Sequence, residues 1–225
     1  MNARAIREPA REVPVIAEPD VLVVGGGPAG IAAACAASRA GARTLLVEGY
    51  GCLGGTLTIV TLGGLCGIHA VVDDGRLGRV VGGMCLELEE RLARVDALRA
   101  PARHGRIVGV PYDSVRLMGV ADEMAEAHDV TVMLHTNAVA VAKEDSRVTA
   151  VIVENKGGRG AIAARVVVDC SGDGDVAARA GAGFEIGRDG QTQYGSAMFR
   201  LGGVDAVRAG QLTRAEIREC LERAV

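Results

Sequence analysis

The chain has 225 residues, of which 49% are apolar, 24% are charged and 32 are glycine. A formal net charge of −3 and an aromatic content of 2% provide neither the basic surface nor the stacking side chains that nucleic-acid binding needs. The first twenty residues carry charges of both signs without an apolar signal segment, and no later run has the length of a membrane span. These features predict a globular, cytoplasmic protein with no membrane or nucleic-acid partner.

The first predicted elements form a strand–turn–helix unit. A short strand at 11–17, marked as an edge strand by a proline, precedes a strand at 21–24 that is apolar throughout, as expected of a parallel strand buried on both faces. Glycines follow at once in a G-x-G-x-x-G pattern. Gly25 allows a tight turn, Gly27 leaves no Cβ between the backbone and a pyrophosphate, and Gly30 lets the next helix pack closely on the strand.

The helix that follows the glycine turn points its N-terminus at the same place. Free N–H groups and the positive end of the helix dipole favour an anion there without a basic side chain. A second strand at 43–47 ends in Glu48, eighteen residues after Gly30, where a carboxylate can accept hydrogen bonds from ribose hydroxyls. The whole segment therefore predicts a nucleotide-binding βαβ unit.

The rest of the chain alternates between helical and strand patterns. A glycine-rich loop runs from 49 to 67, and Asp73 with Asp74 indicates a turn. The patterns then predict a helix at 80–98, a linker between Pro101 and Pro111, a helix at 114–127, and strands at 130–134, 148–154 and 161–168. A buried strand at 166–169 is followed by a second glycine turn at 170–175 and an alanine-rich helix. The last predicted elements are a strand at 191–201 and a helix that begins with the capping box of Thr213 and Glu216 and reaches Ala224.

Several of these motifs together resemble the FAD-dependent oxidoreductases of the glutathione-reductase-like fold, and most of all the bacterial FAD-dependent oxidoreductase family. They are Gly25-Gly-Gly-Pro-Ala-Gly30, Glu48, the Gly54-Gly55 pair, and the segments at 167–188 and 198–205. The resemblance begins at about residue 11. It implies an α/β fold in which a Rossmann-type FAD-binding domain has a parallel sheet with helices on its faces and a small β-meander.

The resemblance also implies a domain division and a set of cofactor-binding residues. Residues 1–185 would form the FAD-binding domain, with a helical insertion at about 64–110, and residues 186–225 would begin an incomplete substrate or cap domain. The cofactor-binding residues carried over from the motifs are Gly25, Gly26, Gly27, Pro28, Ala29, Gly30, Glu48, Gly54, Gly55, Thr56, Ala138, Gly172 and Asp173.

These residues have separate expected roles. The glycine turn would hold the pyrophosphate, Glu48 the adenosine ribose, the loop from Gly54 to Thr56 the pyrophosphate and flavin, and Ala138 would offer its backbone to adenine. Asp173 would accept a hydrogen bond from a cofactor hydroxyl, or else be a turn residue that caps the following helix. Alanine has no side-chain signal of its own, so Ala138 stands equally well as a residue without a cofactor role.

The sequence identifies no catalytic residue. A flavin carries out the electron transfer itself, so the protein needs only to bind, orient and tune it. His69, Cys66 and Cys52 lie in the glycine-rich loop, but a loop histidine is more often exposed to solvent and a buried cysteine more often packs. His104, His128 and His135 show no ligand spacing, so no metal is expected.

The expected function is oxidation or reduction of a small organic substrate by hydride transfer with FAD. Such enzymes normally return from the substrate domain to complete the flavin site, so either a second polypeptide supplies that segment or the chain is a truncated product with poor FAD affinity. Two other functions stay open at this point. One is a non-catalytic fragment or subunit that needs a partner chain, and the other is an NAD-dependent dehydrogenase, for which the Gly54-Gly55 loop and the distant second glycine turn are less suitable.

Overall fold

The computed structural model describes residues 5–6, 9–72, 75–104 and 107–223. Its strands are β1 (Val15–Ala17), β2 (Val21–Val24), β3 (Thr44–Val47), β4 (Gly64–Cys66), β5 (His69–Val71), β6 (Leu77–Arg79), β7 (Ala102–His104), β8 (Ile107–Pro111), β9 (Thr131–Met133), β10 (Asn137–Glu144), β11 (Arg147–Asn155), β12 (Gly158–Ile162) and β13 (Val166–Asp169). Its helices are α1 (Pro28–Arg39), α2 (Met84–Arg94), α3 (Ser114–Ala127), α4 (Asp175–Arg179), α5 (Ala206–Gln211) and α6 (Arg214–Glu222), with a 3₁₀ turn at Gly55–Leu57.

A parallel sheet with the strand order β13-β2-β3-β9 forms the centre of the fold. The apolar runs of β2 and β3 are buried on both faces, as the sequence predicted for parallel strands. Val23 and Leu46 belong to one apolar core with residues of α1, α2 and α3, whereas Leu22 and Leu45 belong to a second core with residues of β11 and β12. The sheet therefore lies between a helical layer and a second sheet, which confirms the predicted α/β class.

The second sheet is the predicted β-meander with one strand added. Strands β10, β11 and β12 pair antiparallel in succession, and β1 pairs with β12 in parallel at one edge. Pro14 and β1 thus lie at an edge, as predicted. The other edge is β10, which the sequence analysis missed because its alternating alanines give a weak strand pattern.

Two predicted strands need correction. The run predicted as one strand at 161–168 includes the end of β12 in the meander and the start of β13 in the parallel sheet, and the chain crosses between the sheets after Ile162. The separate prediction of a buried strand at 166–169 is confirmed as β13. The strand predicted at 191–201 does not form. These residues are exposed, and among the described residues they have no strand to pair with beyond an isolated bridge between Arg188 and Gln191.

The segment at about 64–110, expected as a helical insertion, contains more strand than helix. Among its described residues are α2 and the short strands β4 to β8, of which β4, β8 and β7 form one sheet and β5 and β6 a hairpin. The predicted helix at 114–127 is confirmed as α3, with Asp113 as its N-cap. The predicted turn at Asp73 and Asp74 lies outside the described residues, and so does Ala224.

The chain divides into two compact units, Met1–Tyr194 and Gly195–Val225. The second unit contains α5 and α6, and the capping box predicted for α6 is present, with Glu216 N–H donating to Thr213 Oγ1 and Thr213 N–H donating to Glu216. No residue of its described part is buried. The predicted division between residues 185 and 186 stays a prediction.

Candidate cofactor-binding site

The glycine turn between β2 and α1 is forced into its shape by two backbone contacts. Gly25 has a φ of +101°, and a Cβ there would lie 2.2 Å from the carbonyl oxygen of Cys170. A Cβ at Gly30 would lie 1.7 Å from the carbonyl oxygen of Gly25. Because both neighbours are backbone atoms, no side chain can move aside. The turn and the close approach of helix to strand thus have the geometry that the sequence predicted.

Gly27 differs from these two glycines because it faces open space. A Cβ at Gly27 would meet no atom within 4 Å, and the residue has an ordinary extended backbone with φ −69° and ψ −177°. Gly27 is the N-cap of α1, its first turn contains no acidic residue, and no side chain among the described residues caps this end. The N–H groups of the first turn are therefore unpaired within the helix and available to an anion.

The carboxylate of Glu48 lies beside this turn at the end of β3. The side chain is buried, with Oε2 accepting a hydrogen bond from Gly26 N–H at 2.6 Å and Oε1 accepting one from Tyr50 N–H at 2.7 Å. Its backbone is held as well, since Glu48 N–H donates to Met133 O and Thr136 N–H donates to Glu48 O, each at 2.9 Å. Each carboxylate oxygen keeps a second lone pair for a ligand donor.

The loop from Gly54 to Thr56 is fixed against the same turn. Gly54 N–H donates to Gly26 O at 2.8 Å, and a Cβ at Gly55 would lie 2.9 Å from Gly27 Cα. The 3₁₀ turn that follows is held from outside by Tyr112, whose hydroxyl donates to Leu57 O at 2.7 Å. These contacts place Thr56 at an exposed position on the wall of a cleft.

The second glycine turn, between β13 and α4, is held by side chains. Asp169 accepts hydrogen bonds from Ser171 N–H at 3.1 Å, from Ser171 Oγ–H at 2.7 Å and from Ala177 N–H at 2.8 Å. Burial alone would raise the pKa of Asp169, but the hydrogen bonds from Ala177 and Ser171 outweigh it and hold the pKa below its ordinary value of 3.8.

Asp173 does not cap the helix that follows it. The capping carboxylate is Asp169, and the N-cap position of α4 is Gly174 in a left-handed conformation. Asp173 is exposed, lines the cleft and has no hydrogen-bond partner among the described residues. The alternative of a helix-capping role is therefore wrong, and the predicted contact with a cofactor hydroxyl stays open.

Ala138 lies in β10, the strand at the edge of the meander, and is half-buried against the cleft. It pairs with Val153 of β11, and the register shifts between Ala138 and Ala140. An edge strand leaves every second N–H and C=O without a strand partner. The backbone near Ala138 can therefore offer hydrogen bonds to a flat ring, as the resemblance implies.

These segments together surround one cleft with a volume of about 800 Å³ at the carboxyl ends of the parallel strands. Ten of the predicted residues line it: Gly25, Gly27, Pro28, Ala29, Glu48, Gly55, Thr56, Ala138, Gly172 and Asp173. Gly26, Gly30 and Gly54 do not line it, and they support it through the backbone contacts described above.

Further residues of the cleft were missed by the sequence analysis. They are Val24, Val47, Gly49, Tyr50, Ile59, Val60, Thr136, Asn137, Cys170, Ser171 and Asp175. Nine of them lie within two positions of a predicted residue along the chain, so the rule that ligands bind at the carboxyl ends of parallel strands could have found them. Ile59 and Val60 follow the Gly54–Thr56 loop and had no such signal.

His69, Cys66 and Cys52 do not line the cleft. His69 pairs with Arg79 in the β5–β6 hairpin, where its Nδ1 is buried without a hydrogen-bond partner, and Cys66 lies in β4. No group of three metal-ligating side chains occurs within the described part of the chain. None of the helices described is both long enough and apolar enough to cross a bilayer.

Comparison with known proteins gives a family. A family model described as FAD dependent oxidoreductase matches residues 20–224. The tRNA uridine 5-carboxymethylaminomethyl modification enzyme MnmG of Wolinella succinogenes is 37% identical over 103 residues, which are 44% of this chain and 16% of that protein.

Solved structures with a similar fold have differing names. THI4 of Thermovibrio ammonificans has a TM-score of 0.51 at 19% identity, over 72% of this chain and 61% of its own. The myxobacterial halogenase CndH, described as FAD-dependent, has a TM-score of 0.51 at 20% identity, over 70% of this chain and 38% of its own. At sequence identities of 19% and 20%, the similarity to these two structures concerns the fold alone. The chain spans about a sixth of the length of MnmG and less than two thirds of the length of either solved structure.

Proposed function

This chain belongs to the FAD-dependent oxidoreductase family and its cofactor is FAD, and on that premise we propose that it oxidises or reduces a small organic substrate by hydride transfer with the flavin. The single observation that supports this most strongly is the combination at one cleft of an uncapped helix N-terminus, the open face of Gly27 and the buried carboxylate of Glu48. The bound flavin supplies the redox chemistry, and the chain supplies binding and orientation.

Four parts of the cleft are suited to separate parts of this cofactor. The backbone from Gly25 to Gly30 and the N-terminus of α1 would hold the diphosphate, because they combine unpaired N–H groups with a positive dipole end. The two free lone pairs of Glu48 would accept the ribose hydroxyls. The edge of β10 at Ala138 would take adenine, and Thr56 and Asp173 would contact the flavin part of the molecule.

The experiment that tests this proposal is a cofactor titration. The purified 225-residue chain is expected to carry, or to take up on addition of FAD, an absorption band at about 450 nm that belongs to bound flavin. Reduction by a hydride donor should bleach the band. A chain that takes up no flavin at saturating FAD would overturn the proposal.

The same titration separates this function from that of an NAD-dependent dehydrogenase. NADH and FAD share the adenosine diphosphate that the glycine turn would bind, but only FAD extends to the loop at Gly54–Thr56 and to the second turn at Gly172 and Asp173. FAD is therefore expected to bind more tightly than NADH and to displace it from the cleft. Tighter binding of NADH than of FAD would favour the dehydrogenase instead.

A second polypeptide that completes the flavin site remains part of the proposal. Support comes from large apolar side chains that are exposed on residues 198–221, including Phe199 at 75% exposure, Leu201 at 73% and Val207 at 74%. Monomeric soluble proteins rarely expose contiguous apolar surface of more than a few hundred Å². We propose that the second polypeptide has a complementary apolar face that covers these residues.

Gel filtration with the flavin absorption as readout tests that partner. A flavin-loaded particle at the 23.1 kDa of a single chain would mean that no partner is needed. Aggregation, or flavin retention only together with a second chain, would instead favour a subunit that is inactive alone. Absence of a nucleic-acid partner and a cytoplasmic location stay proposals that rest on the net charge and the composition.

A further inference from the structure

The charged residues of the cleft are all acidic. Glu48, Asp173 and Asp175 line it, and no lysine, arginine or histidine does so among the described residues. Asp175 is paired with Arg179 at 2.8 Å, but Glu48 has only neutral N–H partners and Asp173 has none in the described part of the chain. The field in the cleft therefore opposes a second anion beyond the diphosphate that the helix N-terminus accepts.

One wall of the cleft is apolar and rigid. Ile59 and Val60 line it while remaining 42% and 37% exposed. Their backbone is fixed, because Ile59 N–H donates to Gly55 O at 2.9 Å and the Thr58 hydroxyl donates to Leu53 O at 2.8 Å within the core. Exposed β-branched side chains in a rigid cleft wall are suited to contact with an apolar ligand.

The sequence around this wall contains no formal charge. Residues 49–72 include no aspartate, glutamate, lysine or arginine, although such residues make up 24% of the chain. Sites that recognise carboxylates or phosphates use the bidentate guanidinium of arginine or the ammonium of lysine. Residues 49–72 provide neither a guanidinium nor an ammonium group to bind an anionic substrate.

We propose that the substrate of this site is an uncharged organic molecule with an apolar face, bound against Ile59 and Val60, and that carboxylates and phosphate esters are rejected. The proposal rests on the proposed function, since it names the substrate class for the same cleft. Two features would select this substrate. The apolar pair would contact its apolar face, and the carboxylate of Asp173, which has no cationic partner among the described residues, would repel anions.

A pair of probes with the same shape and different charge tests the proposal. Benzamide and benzoate differ chiefly by one negative charge, so their binding to the FAD-loaded chain, followed by the change in flavin absorption, isolates the electrostatic part. Benzamide is expected to bind at least about tenfold more tightly, which corresponds to about 1.4 kcal/mol. Equal affinities, tighter binding of benzoate or binding of neither probe would overturn the proposal.

Charge variants of the apolar wall sharpen the test. Ile59→Lys, with Val60→Lys as a second variant should the first fail to fold, introduces an ammonium group and is expected to reverse the order so that benzoate binds more tightly. Val115→Lys is the matched control, because Val115 is 63% exposed on α3 and does not line the cleft. A reversal by Val115→Lys, or none by either cleft variant, would contradict the assignment.

Failure of this inference can be told apart from failure of the proposed function. The methyl resonances of Ile59 and Val60 report probe binding by NMR in the FAD-free chain, without any flavin signal. Flavin uptake with equal probe affinities would refute the substrate class alone. Benzamide-selective shifts in a chain that takes up no flavin would refute the proposed function and leave the selective cleft in place.

Discussion

Two strand–turn–helix units lie side by side in the parallel sheet and hold their turns by different means. Between β2 and α1, the turn depends on glycines that permit backbone contacts, and no side chain in the described part of the chain caps the helix. Between β13 and α4, Asp169 and Ser171 hold the turn through their side chains, and Asp169 accepts from the first turn of the helix itself. The similar sequences of the two units do not reveal this difference.

The difference assigns separate tasks to the two turns. The N-terminus of α1 stays free for an external anion, whereas that of α4 is already occupied by a carboxylate of the chain. Only the first turn is therefore suited to a diphosphate. The second turn contributes a wall of the cleft, with Gly172 and Asp173 exposed on it.

The strongest way to break the first turn is Gly30→Ala. Its Cβ would lie 1.7 Å from Gly25 O, so the helix must move away from the strand, and we expect a loss of about 3 kcal/mol in the free energy of unfolding together with loss of FAD binding. Urea unfolding and flavin titration measure the two effects.

The same substitution at Gly119 is the control for Gly30→Ala. Gly119 is exposed within α3 and a Cβ there would meet no atom within 4 Å, so Gly119→Ala should be neutral or stabilising by up to about 1 kcal/mol. Equal stability of the Gly30 and Gly119 variants would contradict the close packing of α1 on β2.

Gly27→Ala separates the ligand requirement from the folding requirement of the same turn. Alanine fits the backbone of Gly27 and its methyl group would meet no protein atom, so the stability should stay equal or rise slightly. The methyl group would point into the space that we propose for the diphosphate, and we expect FAD to bind at least about tenfold more weakly. Flavin titration at equal protein stability checks this, and an unchanged affinity would show that the diphosphate does not approach Gly27.

Asp169→Asn tests the side-chain control of the second turn. Asparagine has one acceptor oxygen in place of two, so either Ser171 or Ala177 loses its partner, and a loss of about 1 kcal/mol in stability is expected at neutral pH. Since the pKa of Asp169 is lowered by folding, its stabilisation is present above its ordinary value of 3.8 and is lost as the pH falls through the folded-state pKa. Urea unfolding should show a constant difference between parent and variant from pH 7 to about pH 5 that shrinks below 3.8; a difference that grows on acidification would contradict the assignment.

Local signals predicted the first of these turns well. The run at 21–24, the glycine spacing and Glu48 lie within one continuous stretch, so their relation depends on neighbours along the chain, and β2, α1 and β3 form as predicted. The helix α3 and the capping box of α6 are likewise local features that the sequence displays directly.

The missed features depend on distant partners. β10 forms because β11 lies beside it, although its alanines favour a strand only weakly. The apolar run at 161–168 divides because its first residues pair in the meander and its last residues pair in the parallel sheet. Ile59 and Val60 line the cleft because Tyr112 and the core hold the 3₁₀ turn before them. No pattern within any of these three segments carries that information.

The smallest expected effect distinguishes the two aspartates of the second turn. Asp173 has no partner among the described residues, so Asp173→Asn should leave the stability unchanged, in contrast to Asp169→Asn. If its carboxylate accepts a cofactor hydroxyl, the neutral amide keeps one acceptor but loses the charge, and FAD binding should weaken by a few-fold, consistent with about 1 kcal/mol for one hydrogen bond. Flavin titration of both variants gives the comparison. Weaker binding in Asp169→Asn alone would mean that the second turn contributes only its shape, whereas weaker binding in Asp173→Asn at unchanged stability would make Asp173 a ligand contact.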